Sequence, residues 1–176
     1  MTGLVIKPPL TQEVVQKLHA GDCVIVTGTV YTARDAAHQR MVQAIAAGKQ
    51  LPFDPAGQII YYTGPCPAFE QHPIGSCGPT TSSRMDDYTL DLLKLGLRGM
   101  IGKGERSDRV CQAISEYKAV YLATVGGAGT YLAKRVVRSE VIAYPELGTE
   151  AIAKLEVLEF PCIVAVDSFG GNLYHR

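Results

Sequence analysis

The run Cys23-Val24-Ile25-Val26-Thr27-Gly28-Thr29-Val30-Tyr31 passes without a spacer into Thr32-Ala33-Arg34-Asp35-Ala36-Ala37-His38. The change of pattern between the two stretches decides the fold class. The first is dense in β-branched residues and predicts a strand over 23–31. The second predicts a helix from about Arg34 to Ala47. Thr32 and Asp35 stand at capping-box spacing, Met41, Ala44 and Ile45 repeat on one side, and Gly48 supplies a stop. A strand that hands directly to a helix is the repeating unit of α/β proteins.

Working outward, the same alternation recurs. Val5-Ile6-Lys7 predicts a short opening strand, and Thr11 to Leu18 a brief helix capped by Thr11. Residues 51–58 carry two prolines and read as a loop, followed by a strand at Ile59-Ile60-Tyr61-Tyr62. Residues 64–79 are rich in Gly and Pro and predict a long loop. A helix is expected from Thr81 to Leu95, with Met85, Tyr88, Leu92 and Leu93 at helical spacing. Then come a strand at Met100-Ile101, a helix capped by Ser107 or Asp108 and ending near Tyr117, and a strand at 119–125. Tyr131–Val136 and Thr149–Leu155 read as short helices, and Val141–Tyr144 and Ile163–Val166 as strands. Not every connection is helical. The expected architecture is therefore a mixed sheet or a small barrel-like sheet rather than a pure doubly wound one.

No repeat or linker marks a boundary, so residues 1–176 are read as a single domain, long enough to bury a real core. The chain carries 17 basic and 17 acidic residues, with 47% hydrophobic and 19% charged residues. Zero net charge argues against nucleic-acid binding through bulk electrostatics. No run is long and apolar enough to predict a membrane span, and Met1 to Pro9 does not read as a signal sequence. Five cysteines, Cys23, Cys66, Cys77, Cys111 and Cys162, lie far apart with no Cys-x-x-Cys pair. That pattern argues against a disulfide framework and against a self-contained metal site, and a cytoplasmic location is expected. Cys66 and Cys77 are read as small apolar residues rather than nucleophiles.

Three stretches point to anion chemistry. In Gly78-Pro79-Thr80-Thr81-Ser82-Ser83-Arg84-Met85-Asp86, Thr80 fits a helix N-cap, and Arg84 projects from the same face one turn later. A helix start with a guanidinium beside it suits a carboxylate or phosphate. Arg34, at the start of the predicted helix at 34–47, offers a second anion contact, with His38 four residues on along the same face. In Gly102-Lys103-Gly104-Glu105-Arg106-Ser107 the lysine sits unobstructed between two glycines at a strand end, a point charge with free access. A fourth stretch, Gly126-Gly127-Ala128-Gly129, half-matches a dinucleotide fingerprint but has Leu132 where a third glycine is needed. It reads better as a glycine turn that permits tight packing. A nucleotide-dependent oxidoreductase is the rival reading attached to it.

Taken in order, Tyr31-Thr32-Ala33-Arg34-Asp35-Ala36-Ala37-His38, Tyr61-Tyr62-Thr63-Gly64-Pro65, Gly78 to Asp86 and Gly102-Lys103-Gly104 resemble the β subunit of class I fumarate hydratase. The same family contains the β subunit of L(+)-tartrate dehydratase. Ala143-Tyr144-Pro145-Glu146-Leu147-Gly148 and Lys154-Leu155-Glu156-Val157 extend the resemblance over nearly the whole chain. It implies a swivelling β/β/α domain and an iron–sulfur hydro-lyase that interconverts fumarate and L-malate, a tricarboxylic acid cycle step, or dehydrates tartrate. It implies a partner α subunit that ligates a 4Fe–4S cluster, acting as Lewis acid on the substrate hydroxyl, with no metal ligand on this chain. It assigns Thr80 as the base and Arg34, Arg84 and Lys103 as contacts to the dicarboxylate. Asp35, His38, Thr81 and Asp86 would orient neighbours. A heterotetramer, or self-association of the isolated chain, is the expected assembly. The stretch departs from the family pattern at Ser82-Ser83, where small residues such as Ala-Gly are expected. A non-catalytic anion-binding regulatory module is the alternative from another class.

Overall fold

The computed structural model describes residues 3–175; Met1, Thr2 and Arg176, the outermost residues of the leader and domain readings, lie outside them. The spine of the fold is a pair of long antiparallel strands, β2 (Cys23–Thr32) and β7 (Ile152–Val166), in register from Cys23↔Ile163 to Tyr31↔Lys154. Along β2 the inward positions are Val24, Val26, Val30 and Thr32, an alternation interrupted only at half-buried Gly28. β7 buries 153, 155 and 157 and then 160, 162 and 164. The phase changes because an extra residue is inserted near Glu159, whose φ is 52°. A bulge of this kind bends the strand and increases its twist.

The rest of the sheet hangs on this pair. β1 (Leu4–Ile6), β2, β3 (Ile59–Tyr61), β4 (Gly99–Gly102) and β5 (Val120–Ala123) run parallel. β5 then pairs antiparallel with the end of β7, and β6 (Val136–Ala143) with its beginning. Because β7 pairs with both β2 and β5, the ring β2-β3-β4-β5-β7 closes, leaving β1 and β6 on its margins. The expected mixed sheet and small barrel-like closure are both present.

Parallel neighbours need crossovers. α2 (Asp35–Ala46) links β2 to β3, α3 (Asp86–Lys94) leads into β4, and α4 (Asp108–Glu116) into β5. Two apolar layers result. Inside the ring lie Val24, Val26, Tyr61, Leu122, Leu155 and Phe160; between ring and helices lie Met41, Ile60, Tyr62, Leu92, Met100 and Tyr121. β3 to β5 are thus buried on both faces, which explains their unbroken apolar runs.

Several expectations are corrected. Thr149–Leu155 does not form one helix. A 3-10 segment covers Pro145–Glu150, interrupted by Gly148 at φ 60°, and β7 begins at Ile152. Lys154 and Leu155 pair with β2, a contact remote in sequence that overrides local helical spacing. Tyr131–Val136 is helical only in part: α5 is Gly129–Ala133, and Val136 already starts β6. α1 spans only Gln12–Val15, capped by Thr11 as expected. Thr32 does not cap α2. Its hydroxyl donates to the Ala151 carbonyl and accepts from the Ala153 amide, so it ties β2 to β7 instead. Thr80 does not cap a helix either. The segment opens as a 3-10 turn at Ser82–Met85 before α3, with Thr81 preceding it and making no side-chain capping bond. Ser107 does cap α4, accepting from the Val110 amide.

Phe160 is fully buried in the ring, edge-on to Tyr61 at 5.3 Å between centroids. Phe160→Ala is expected to lower unfolding free energy by about 3–5 kcal/mol in urea titration. A loss below about 1 kcal/mol contradicts a packed ring interior.

Candidate functional site

The carboxyl ends of β2, β3, β4 and β5 share one rim of the ring, the position where open parallel sheets place ligands. Arg34 follows β2, Gly64 follows β3, Lys103 follows β4 and Gly126 follows β5. The Thr80–Arg84 segment is stitched between β3 and β4 by backbone bonds. The Thr80 amide donates to the Tyr62 carbonyl at 2.7 Å, and the Ser82 amide donates to the Lys103 carbonyl at 2.9 Å. The Lys103 amide donates to the Thr80 carbonyl at 3.4 Å, and Thr81 and Lys103 form an isolated parallel bridge. Thr63 adds a side-chain tie, its hydroxyl donating to the Gly78 carbonyl at 2.8 Å. Thr80, Thr81, Arg84 and Lys103 are therefore neighbours through main-chain pairing.

Arg34 joins them through Asp35. Arg84 Nε donates to Asp35 Oδ1 at 2.9 Å, while Arg34 Nε lies 3.9 Å from Asp35 Oδ2. Arg34 Nε also lies 3.5 Å from Glu150 Oε1. These are ion-pair distances, but neither is aligned as a hydrogen bond. Arg34 Nε and Asp35 Oδ2 are both buried atoms without a hydrogen-bond partner. His38 Nε2 is a third, so three of the four such side-chain atoms among the described residues belong to one helix entry. Unsatisfied buried polar atoms are rare and concentrate where function requires them.

Gly64 makes room for Arg34. A Cβ there would stand 3.2 Å from Arg34 Cδ and Nη1 and 2.9 Å from the Thr149 carbonyl oxygen. The guanidinium thus lies across bare backbone, with Glu150 on its flank. Sequence reading missed Glu150 because it placed a helix over 149–155. Lys103 is exposed, its stem running beside Gly126, where a Cβ would meet Cδ at 3.6 Å. Arg84 is also open, with a side chain 53% exposed. The rim is an open surface; a cavity of about 590 Å³ lined by Ile45, Lys49, Phe53 and Leu95 shares none of these residues.

His38 is wholly buried and donates Nδ1–H to the Arg34 carbonyl at 2.8 Å. Burial first, then the charge of Arg106, pull its imidazole down to about 4, against the opposing effects of the Arg34 carbonyl and Asp35. It is neutral at ordinary pH and braces the residue that carries the first guanidinium. Asp86 faces the layer beneath, accepting from Arg106 Nε at 2.6 Å and from the Ser107 amide at 2.7 Å. Arg106 itself has no exposed side-chain surface, donates to Thr89 Oγ1 at 2.8 Å, and lies over the rings of Tyr62 and Tyr121. Its neighbours in sequence, Glu105, Ser107 and Asp108, are polar and give no signal for a buried cation.

The glycine run after β5 is a packing turn. A Cβ at Gly129 would stand 2.2 Å from Ser76 Oγ and 2.8 Å from the Gly78 nitrogen. It presses against the loop that leads into Thr80, rather than opening a nucleotide cleft. Cys77 is buried as expected, whereas Cys66 is exposed. Among the described residues no group of three or more His, Cys, Asp or Glu stands close enough to hold a metal ion. The side chains present do not fit a cluster's ligand set.

The sequence model of the Fumarase C-terminus family matches residues 2–176. The chain belongs to that family. It is 42% identical over 154 residues to an Escherichia coli K12 protein named fumarate hydratase class I, anaerobic. That match covers 86% of this chain but 28% of the relative. It is 39% identical over 173 residues to a Methanocaldococcus jannaschii protein named putative L(+)-tartrate dehydratase subunit beta, covering 95% of this chain and 89% of the relative. A putative class I fumarate hydratase of Geobacillus stearothermophilus is 35% identical over 176 residues, with 97% of this chain and 33% of the relative covered. The chain thus spans about a third or less of the two fumarate hydratases. Among the described residues no helix is long and apolar enough to cross a membrane.

The depressed basicity of His38 predicts a pH signature. The unfolded chain takes up a proton below about pH 6.5, while the folded chain resists it down to about 4. The stability that neutral His38 contributes is complete above pH 6.5 and is lost as pH falls towards 4, roughly 3 kcal/mol at most. Denaturant titrations between pH 4 and 7 should show a shallower pH slope for His38→Gln than for wild type. Identical slopes contradict a buried neutral imidazole.

Proposed function

We propose that this chain is the β subunit of a hydro-lyase that reversibly hydrates fumarate to L-malate. The observation that carries the reading is the backbone pairing of Thr80–Ser82 with Lys103. That pairing joins the backbones of Thr80, Ser82 and Lys103, and Asp35 connects Arg84 with Arg34, which supports one shared site for a hydroxyl and three cations. A dicarboxylate carries two negative charges, and Arg34, Arg84 and Lys103 are assigned to its carboxylates. Two planar guanidiniums favour paired donors on a carboxylate, and the lysine adds a point charge.

Dehydration removes a proton from the carbon beside a carboxylate and expels hydroxide from the next carbon. The base is assigned to Thr80 Oγ, which receives that proton. A hydroxyl is a weak base, and its alkoxide form requires neighbouring positive charge. Arg84 and Lys103 are the cations nearest to it along the paired backbone. As the carbanion forms, charge grows on the adjacent carboxylate, and fixed donors stabilise that state more than the bound substrate. Asp35 holds Arg84 in place, His38 braces Arg34 through its carbonyl, Thr81 pairs with Lys103, and Asp86 anchors the start of α3.

The 4Fe–4S cluster is assigned to a separate α subunit; among the described residues no group of three or more His, Cys, Asp or Glu stands together to hold it. Near-complete coverage of a relative named as a β subunit supports the same division. That relative also favours a second substrate, L(+)-tartrate, which differs from malate by one hydroxyl. One domain over 1–176, a heterotetramer with α, and a cytoplasmic location complete the proposal.

Co-expression with an α-subunit reading frame and anaerobic cluster reconstitution should yield turnover of L-malate or L(+)-tartrate, with none from the β chain alone. Arg84→Lys in that complex keeps the charge but loses the fork. Its kcat/KM is expected to fall by an amount equivalent to about 2–4 kcal/mol. Wild-type kinetics in the variant would remove Arg84 from the site, and a β chain active without partner or metal would refute the division of labour.

A further inference from the structure

Beneath the rim, one phenol joins the two halves of the site. Tyr121 lies in β5, fully buried on the helix-facing side of the sheet. Its hydroxyl stands 2.8 Å from the Gly104 carbonyl oxygen and 2.9 Å from Ser82 Oγ. A carbonyl only accepts, so the phenol proton goes to Gly104 and the Ser82 hydroxyl donates to the phenol oxygen. Gly104 and Gly102 bracket Lys103, and Ser82 stands two residues before Arg84. Ser82 seats directly on Gly102, where a Cβ would come within 1.9 Å of its Oγ.

The hub is held rigidly from its other side. The Arg106 guanidinium lies 5.1 Å from the Tyr121 ring centroid and bonds Asp86 and Thr89, both in α3. Burial, above all, pushes the Tyr121 hydroxyl above the ordinary phenol range, so it stays a neutral donor. A phenylalanine at 121 would fill the same space and lose only the oxygen.

We propose that Tyr121 is a positioning residue, whose hydroxyl fixes the distance between the Thr80–Arg84 turn and Lys103. Both cations then meet the ends of one small diacid together. The role rests on the reaction proposed above. It differs from that reading because Tyr121 touches no substrate and acts only through Ser82 and Gly104. A misplacement of about 1 Å at a catalytic contact can lower rate severely.

The test uses the reconstituted αβ complex, with wild type, Tyr121→Phe, Ser82→Ala and the double variant. Two readouts are taken: steady-state kinetics on L-malate and L(+)-tartrate, and hydrogen exchange at the Ser82 and Lys103 amides. For Tyr121→Phe, kcat is expected to fall about tenfold with KM within about twofold, the pattern of a lost transition-state contact. Ser82→Ala should cost less, and the double variant no more than Tyr121→Phe alone, as expected for partners in one contact. The Ser82 amide should exchange faster in Tyr121→Phe. A lowered Tm with unchanged kcat per folded complex overturns the positioning role, because the phenol then serves stability only. Additive losses in the double variant also overturn it. A wild-type complex inert on both diacids overturns the proposed reaction and this role with it. An active wild type with an unaltered Tyr121→Phe overturns this role alone.

Discussion

The short parallel pairing of Thr80–Ser82 with Lys103, just beyond the ends of β3 and β4, is the constraint on which the site depends. Thr80 lies midway along the connection from β3 to β4, and Lys103 lies just past β4. Without that pairing, a long connection rich in Gly and Pro would leave Thr80 and Arg84 free to wander. Three main-chain bonds, from Thr80 to Tyr62, from Lys103 to Thr80 and from Ser82 to Lys103, extend the sheet by one irregular strand. The extension turns the connection back over the rim before α3 begins. Thr80 is thereby a strand-like residue rather than a helix cap, and its hydroxyl is not committed to an N-terminal amide. A hydroxyl that is not needed for capping is available for chemistry.

Charge is distributed in two tiers. At the rim, Asp35 receives Arg84, and Arg34 lies within ion-pair distance of both Asp35 and Glu150. These pairs are partly exposed, with Arg84 53% exposed, and such pairs add little stability. Their effect is geometric: they hold two like charges near one another in the absence of a ligand. One tier down, Arg106 is sealed from solvent with Asp86, Thr89, Tyr62 and Tyr121 around it. Removing one partner of such a buried pair is strongly destabilising. The lower tier fixes the floor on which the upper tier's cations stand, and neutral His38 adds a strut without adding another charge.

The sequence made the strand–helix alternation legible wherever pattern and tertiary pairing agree. Val24, Val26 and Val30 mark β2, and the apolar runs at 59–61 and 120–123 mark strands buried on both faces. It failed where a distant partner sets the conformation. Lys154 and Leu155 have helical spacing, yet β2 recruits them into β7. Thr32 and Thr80 both look like caps, yet one hydroxyl bridges to β7 and the other residue joins the sheet. Arg34, Arg84 and Lys103 stand out in the sequence through their stretches: Arg34 at a helix entry, Arg84 one turn beyond a threonine, and Lys103 between two glycines at a strand end. Glu150, Gly64, Tyr121 and Arg106 were not, because their roles come from contacts across the fold. Of these, Gly64 and Arg106 lie within stretches that the sequence marks out, but nothing local gives Arg106 its buried role.

The most direct test of the account is a crystal structure of the αβ complex with a bound hydroxydiacid or a non-reactive diacid analogue. The account predicts that the diacid's carboxylates contact Arg34, Arg84 and Lys103, with Thr80 Oγ facing the carbon that loses its proton. A diacid bound in the complex away from residues 34, 80, 84 and 103 contradicts it.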